Sequence, residues 1–95
     1  MIQMFDLIKP ETMSTELFFG LIRQARQIAL EIEGIYDLAL YQKIEQLGVW
    51  RCSVDMVDQK AWGLLLDDPR FQQVVNEAKA LGVKIVPEGP LKRRV

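Results

Sequence analysis

Histidine is missing altogether from this 95-residue sequence. With it go the commonest general base, the commonest zinc and haem ligand and the ordinary pH switch. A serine–histidine–aspartate set in its usual form is therefore impossible. Cysteine occurs once, as Cys52, so no disulfide can close within one chain. Neither a metal-ligand spacing nor a glycine-rich phosphate loop is present, and no metal and no cofactor is expected. Long apolar runs are lacking too. Asp, Lys, Arg or Glu interrupts every stretch well before the roughly 20 residues a membrane-spanning helix needs, which excludes an integral membrane protein of that kind. The charges balance, with 12 basic and 13 acidic residues and a net charge of -1. Without an excess of positive charge, nucleic acid is not an expected partner.

The opening Met1-Ile2-Gln3-Met4-Phe5-Asp6 lacks the charged and apolar regions of a secretion signal. Together with the single thiol this makes a reducing cytoplasm the expected location. The basic cluster Lys92-Arg93-Arg94 follows Pro87 and Pro90, and reads as part of a solvated, flexible tail over residues 88–95.

What is present fits one globular domain over residues 1–95: 49% hydrophobic, 26% charged and 8% aromatic residues. Residues 2–9 are too short for an amphipathic helix and end before Pro10, which predicts a first strand. Thr12 and Ser14 are cap candidates for a helix over 14–33. Its apolar stripe is Leu17, Leu21, Ala25, Ile28 and Ile32, flanked by Phe18, Ile22 and Ala29, and Gly34 is placed to end it. β-branched and aromatic mixtures over 35–44 and 49–57 predict two more strands. Asp58 can cap a short helix carrying Ala61, Trp62, Leu65 and Leu66. Asp68-Pro69 then restarts a helix whose stripe is Phe71, Val74, Val75, Ala78 and Leu81, before Gly82. Residues 83–86 form a last strand. The order strand, helix, strand, strand, broken helix, strand is the α+β, ferredoxin-like βαββαβ plan with a four-stranded antiparallel sheet.

The strand faces carry the argument further. In the third strand Trp50, Cys52, Val54 and Met56 share one side, and Val49, Arg51, Ser53 and Asp55 the other. In the second strand the even side, Tyr36, Leu38, Leu40, Gln42 and Ile44, is assigned to the core, so residues of like parity must face each other across the hairpin. Both helices of a βαββαβ fold lie on one side of the sheet. A bare, watered side would show clean alternation. The first strand instead has Ile2, Met4 and Ile8 on one face and Phe5 and Leu7 on the other. The second adds Ile35, Ala39 and Tyr41 to the side away from the core. Apolar side chains on both faces predict a homodimer, two sheets packed face to face, with Asp37, Tyr41, Arg51 and Asp55 at the contact.

The stretch Trp50-Arg51-Cys52-Ser53-Val54-Asp55-Met56-Val57-Asp58-Gln59-Lys60-Ala61-Trp62, followed by Leu65-Leu66-Asp67-Asp68-Pro69-Arg70-Phe71, resembles the dimeric α+β barrel superfamily, in particular its small antibiotic-biosynthesis monooxygenase-like and stress-responsive barrel-like members. The resemblance implies two protomers forming a dimeric α+β barrel, and in each subunit a cavity between helices and sheet. It implies no single activity, because members range from cofactorless oxygenation and haem degradation to isomerisation, cyclisation and effector binding. Two features depart from the active branches: no histidine on the second helix to hold haem, and Gln3 on the first strand where some oxygenases have asparagine.

Tyr36, Trp50 and Trp62 are assigned to the space between helices and sheet, where they either line an aromatic pocket or simply fill a small core. Asn76 lies opposite its helix's apolar stripe and should face water. Asp37, Arg51 and Asp55 form either a charged site or ordinary cross-strand pairs. Cys52 reads as a buried, inert thiol. Three roles stay open: a binder of a small apolar or aromatic molecule, a cofactorless monooxygenase or isomerase, and a purely structural interaction module. A cavity of roughly 300 Å³ or more beside Trp62 would separate the first two from the third.

Overall fold

Three side chains start the three helices found among the described residues. The Ser14 hydroxyl accepts a hydrogen bond from Leu17 N at 3.1 Å, the Asp58 carboxylate from Ala61 N at 3.0 Å, and the Asp68 carboxylate from Arg70 N at 2.8 Å. Each satisfies a backbone donor that a first helical turn leaves unpaired. The structure, a computed structural model, describes residues 1–87, so the expected tail over 88–95 with Lys92-Arg93-Arg94 lies outside the described residues. Its elements are β1 (Ile2–Ile8), α1 (Thr15–Leu30), β2 (Ile35–Gln42), β3 (Val49–Met56), α2 (Gln59–Asp67), α3 (Pro69–Ala80) and β4 (Lys84–Pro87). Every expected element is present, in the expected order.

The sheet runs β2-β3-β1-β4, antiparallel throughout. Leu38 faces Val54, Leu40 faces Cys52 and Gln42 faces Trp50, the like-parity pairing that alternation requires. Leu7, Leu38, Cys52, Val54 and Met56 point to one side and are buried against Phe18, Leu21, Ala25 and Ala29 of α1, Ala61 and Leu65 of α2, and Phe71 and Val74 of α3. All helices therefore cover a single face, and among the described residues the core contains no buried polar side chain.

Four expectations need correction. The register shifts between Ile35 and Asp37, where β2 bulges against β3. The extra residue puts both Ile35 and Leu38 into the core and leaves Tyr36 60% exposed, so Tyr36 does not enter the space between the layers. β2 stops at Gln42 rather than 44, and Ile44 is 97% exposed in the connection to β3. α1 ends at Leu30 rather than 33, and its buried line runs through Phe18 and Ala29, leaving Leu17 exposed. On α3 the stripe ends with Ala78: Leu81 is exposed, and Val83, after the turn at Gly82, takes its place in the core.

Gly34 makes the turn from α1 into β2 with φ +90, a conformation that favours glycine. A Cβ there would sit 2.7 Å from Val57 Cγ1 and 2.9 Å from Ala61 Cβ. The residue is thus needed both for its backbone conformation and for the close approach of α2.

Candidate functional site

Between the helices and the sheet the apolar side chains do not fill the available volume. A cavity of about 490 Å³ remains. Its floor is the helix-facing side of β1, Gln3, Phe5 and Leu7, with Cys52 of β3 beside them; α1 supplies Leu21, Ile22 and Ala25, and α3 supplies Phe71, Val75 and Ala78. Trp62 of α2 closes one side, its ring centroid 6.4 Å from that of Phe5. Exposed residues at the rim, Met4, Leu66, Lys79 and Pro87, place the mouth where β1 runs past the end of β4. There β4 pairs only with residues 5–8, so the start of β1 lacks a neighbour on that side among the described residues.

The three aromatic candidates are not brought together. Trp62 lines the cavity. Trp50 lies on the same face of the sheet but away from it, wedged against Phe18 and Phe19 at centroid distances of 5.6 and 5.3 Å, the second contact edge to face. It fills core, as large aromatics in small domains do. Tyr36 is outside because of the bulge. Asn76 is exposed on α3. The Cys52 thiol is buried, and desolvation pushes its pKa up to about 12, so it stays protonated and unreactive at neutral pH.

Polar groups in the cavity come from residues that the aromatic reading passed over. Gln3 shares the odd-numbered face of β1 with Phe5 and Leu7, so alternation alone places it there. Lys79 follows Val75 by one helical turn, on the flank of the α3 stripe. Neither side chain, nor the Trp62 indole N–H, makes a hydrogen bond to protein among the described residues. Among the described residues no buried side-chain nitrogen or oxygen lacks a partner, so the Gln3 and Trp62 donors reach accessible space, and Lys79 is itself exposed.

Among the described residues the other face of the sheet carries no helix. Ile2, Met4, Ile8, Ala39, Tyr41 and Val49 line it, exposed or half-buried, around a charged cluster. Asp6 accepts from Arg51 Nε at 3.1 Å and from Lys43 Nζ at 3.0 Å. These bonds, Lys43's first, hold its pKa below the ordinary carboxylate value of 3.8. Of the charged residues expected here, Arg51 thus pairs with β1, Asp55 lies opposite both Ile2 and Asp37 in the register, and Asp37 binds Arg26 of α1 at 3.1 Å. Tyr41 faces Arg51 and is exposed. Among the described residues this face sets no nucleophile beside a base. Leu47, in the connection from β2 to β3, is 96% exposed.

No family model matches the chain, and no curated protein matches it in sequence. Solved structures do match in fold. SnoaB, a cofactor-independent oxygenase from Streptomyces nogalater, aligns over 98% of this chain and 95% of its own with a TM-score of 0.75 at 11% identity. A protein from Deinococcus radiodurans, provisionally described as an antibiotic biosynthesis monooxygenase, aligns over 100% of this chain and 99% of its own, TM-score 0.72, 13% identity. A conserved protein from Methanosarcina mazei Go1 aligns over 93% and 92%, TM-score 0.72, 14% identity. At such identities the likeness is one of fold. The described residues include no helix long and apolar enough to cross a membrane. The chain has the ferredoxin-like α+β fold of these solved structures, among them proteins described as antibiotic biosynthesis monooxygenases.

Proposed function

We propose that this protein is a homodimer that binds a small apolar or aromatic molecule in the cavity beside Trp62. The observation that carries the reading is the cavity itself, about 490 Å³ and walled mainly by apolar side chains. That volume lies within the range of small-molecule sites and above the value at which a purely structural role loses its support. The dimer is supported by the helix-free face. Contiguous apolar residues on it, with Ile44 and Leu47 nearly fully exposed beside it, form a surface that a second sheet packed about 10 Å away would cover.

A second reading is a cofactorless monooxygenase or isomerase acting on a substrate that supplies its own reactivity. It is favoured by one feature: Trp62, whose indole N–H has no hydrogen-bond partner among the described residues, lines the cavity. The similar fold of SnoaB, a cofactor-independent oxygenase, is consistent with it.

Native mass spectrometry of the purified protein tests the first reading, with a two-copy mass and a retained small molecule expected. A single-copy mass at micromolar concentration overturns the dimer, and failure of any apolar probe to bind saturably overturns the ligand site. Tyr41→Asp, on the helix-free face, should shift the protein to one copy without unfolding it. For the enzyme reading, Trp62→Ala and the control Tyr36→Phe are assayed against a panel of quinols and polyketides. Turnover lost only in Trp62→Ala supports catalysis at the cavity, and equal turnover in both removes Trp62 from it.

A further inference from the structure

The donors and acceptors around the cavity are unevenly distributed. Among the described residues that line it Lys79 is the charged one, and no carboxylate does so. Lys79 forms no ion pair among the described residues, although acidic and basic groups elsewhere pair readily, as at Asp6 and Asp37. Gln3 and Trp62 add two more donors without protein partners. All three belong to the mouth or wall, whereas the deep surfaces are Leu7, Leu21, Phe71, Val74 and the neutral Cys52 thiol. An ammonium, an amide and an indole N–H over an apolar chamber complement a molecule with a greasy body and a negatively charged end.

On the reading of the cavity as a ligand site, we propose that its ligand is an amphipathic anion, an aromatic or aliphatic body ending in a carboxylate-like group that Lys79 holds at the mouth. The body enters between β1, α1 and α3, and the charged end stays at the rim. There it meets Lys79 and the Gln3 amide without the cost of complete desolvation. At the packing density of protein interiors, about 0.75, the chamber takes up to about 370 Å³ of ligand. That is the scale of a bicyclic or tricyclic ring system or a medium-length chain.

Two fluorescent probes with the same aromatic skeleton separate charge from shape. 1-Anilinonaphthalene-8-sulfonate carries an anionic group that N-phenyl-1-naphthylamine lacks. At low salt the protein is expected to bind the sulfonate about fivefold tighter than the neutral probe, the size of effect one partly exposed ion pair gives. The margin should shrink as salt screens it. Lys79→Gln should abolish the preference while leaving the neutral probe's affinity unchanged, and Lys79→Arg should keep it. Trp62→Ala should weaken both probes alike, which places them in the cavity. Equal affinity of the unaltered protein for the two probes overturns the anion assignment while the ligand site stands. A preference that survives Lys79→Gln overturns the role of Lys79, and binding of neither probe overturns the ligand site itself.

Discussion

Trp50 and Trp62 belong to the same apolar layer and are both half-buried, yet one packs against two aromatic rings and the other borders open volume. Trp50 is gripped between Phe18 and Phe19 of α1, whereas Trp62 has Phe5 on one side and open volume on the other. The difference lies in what faces each ring. α1 presents two consecutive phenylalanines to Trp50. The elements around Trp62 present Ile22, Ala25, Val75 and Ala78, side chains too small to meet across the gap. The same residue type thus serves as filler in one place and as wall in another, and the size of its neighbours decides which.

The comparison is sharpest if the two tryptophans respond differently to truncation. Trp50→Ala should cost about 3 kcal/mol of stability, because a cavity opens inside a packed aromatic cluster. Urea denaturation measures it, and cavity probes should still bind the folded protein. Gly34→Ala tests the frame that holds α2, and with it Trp62, against the sheet. Positive φ and the contacts with Val57 and Ala61 together should cost about 2 kcal/mol, read from the same denaturation curves. Trp62→Ala should cost only about 1 kcal/mol, since less packing is lost beside an existing void, but should weaken probe binding about tenfold. Equal destabilisation by the two tryptophan truncations would erase the distinction between filler and wall.

The smallest effect concerns the helix-free face. Because the pKa of Asp6 is lowered in the folded protein, its contribution to stability is complete above the unfolded-state value and is lost as pH falls through the lowered one. Asp6→Asn should accordingly lower stability slightly at neutral pH, where these partly exposed ion pairs contribute little, and flatten the acid end of the stability curve, as measured by thermal unfolding between about pH 2 and 7.

Much of this architecture can be read from residue types. Ser14, Asp58 and Asp68 announce their helices because a short oxygen-bearing side chain before an apolar period has one favourable use. β3 declares its faces because Trp50, Cys52, Val54 and Met56 alternate strictly with polar or smaller residues. Tyr36 misleads for the opposite reason: one additional residue in β2 reverses the parity of everything before it, and no pattern in Ile35-Tyr36-Asp37 marks the irregularity. Leu17 misleads more mildly, since the wide apolar stripe of α1 leaves its centre ambiguous by one position. The cavity itself lies beyond periodicity. Alternation says which side chains point inward, but whether they touch depends on how far apart the layers stand. For that reason Gln3 is assignable to the right face from sequence, and Lys79 to the right flank, without either revealing an opening between them.

The irregular pairing at Ile35–Asp37 has a consequence for the protein's neighbours in solution. Among the described residues β2 is an outer strand of the sheet, with no strand paired on its far side. A regular strand of eight residues there would be a template for sideways addition of another chain. A bulge such as this one tends to bend and twist a border, and the opposite border, among the described residues, is a strand of four residues that includes Lys84 and Pro87. Both margins thus discourage ribbon-like polymerisation through sideways strand pairing.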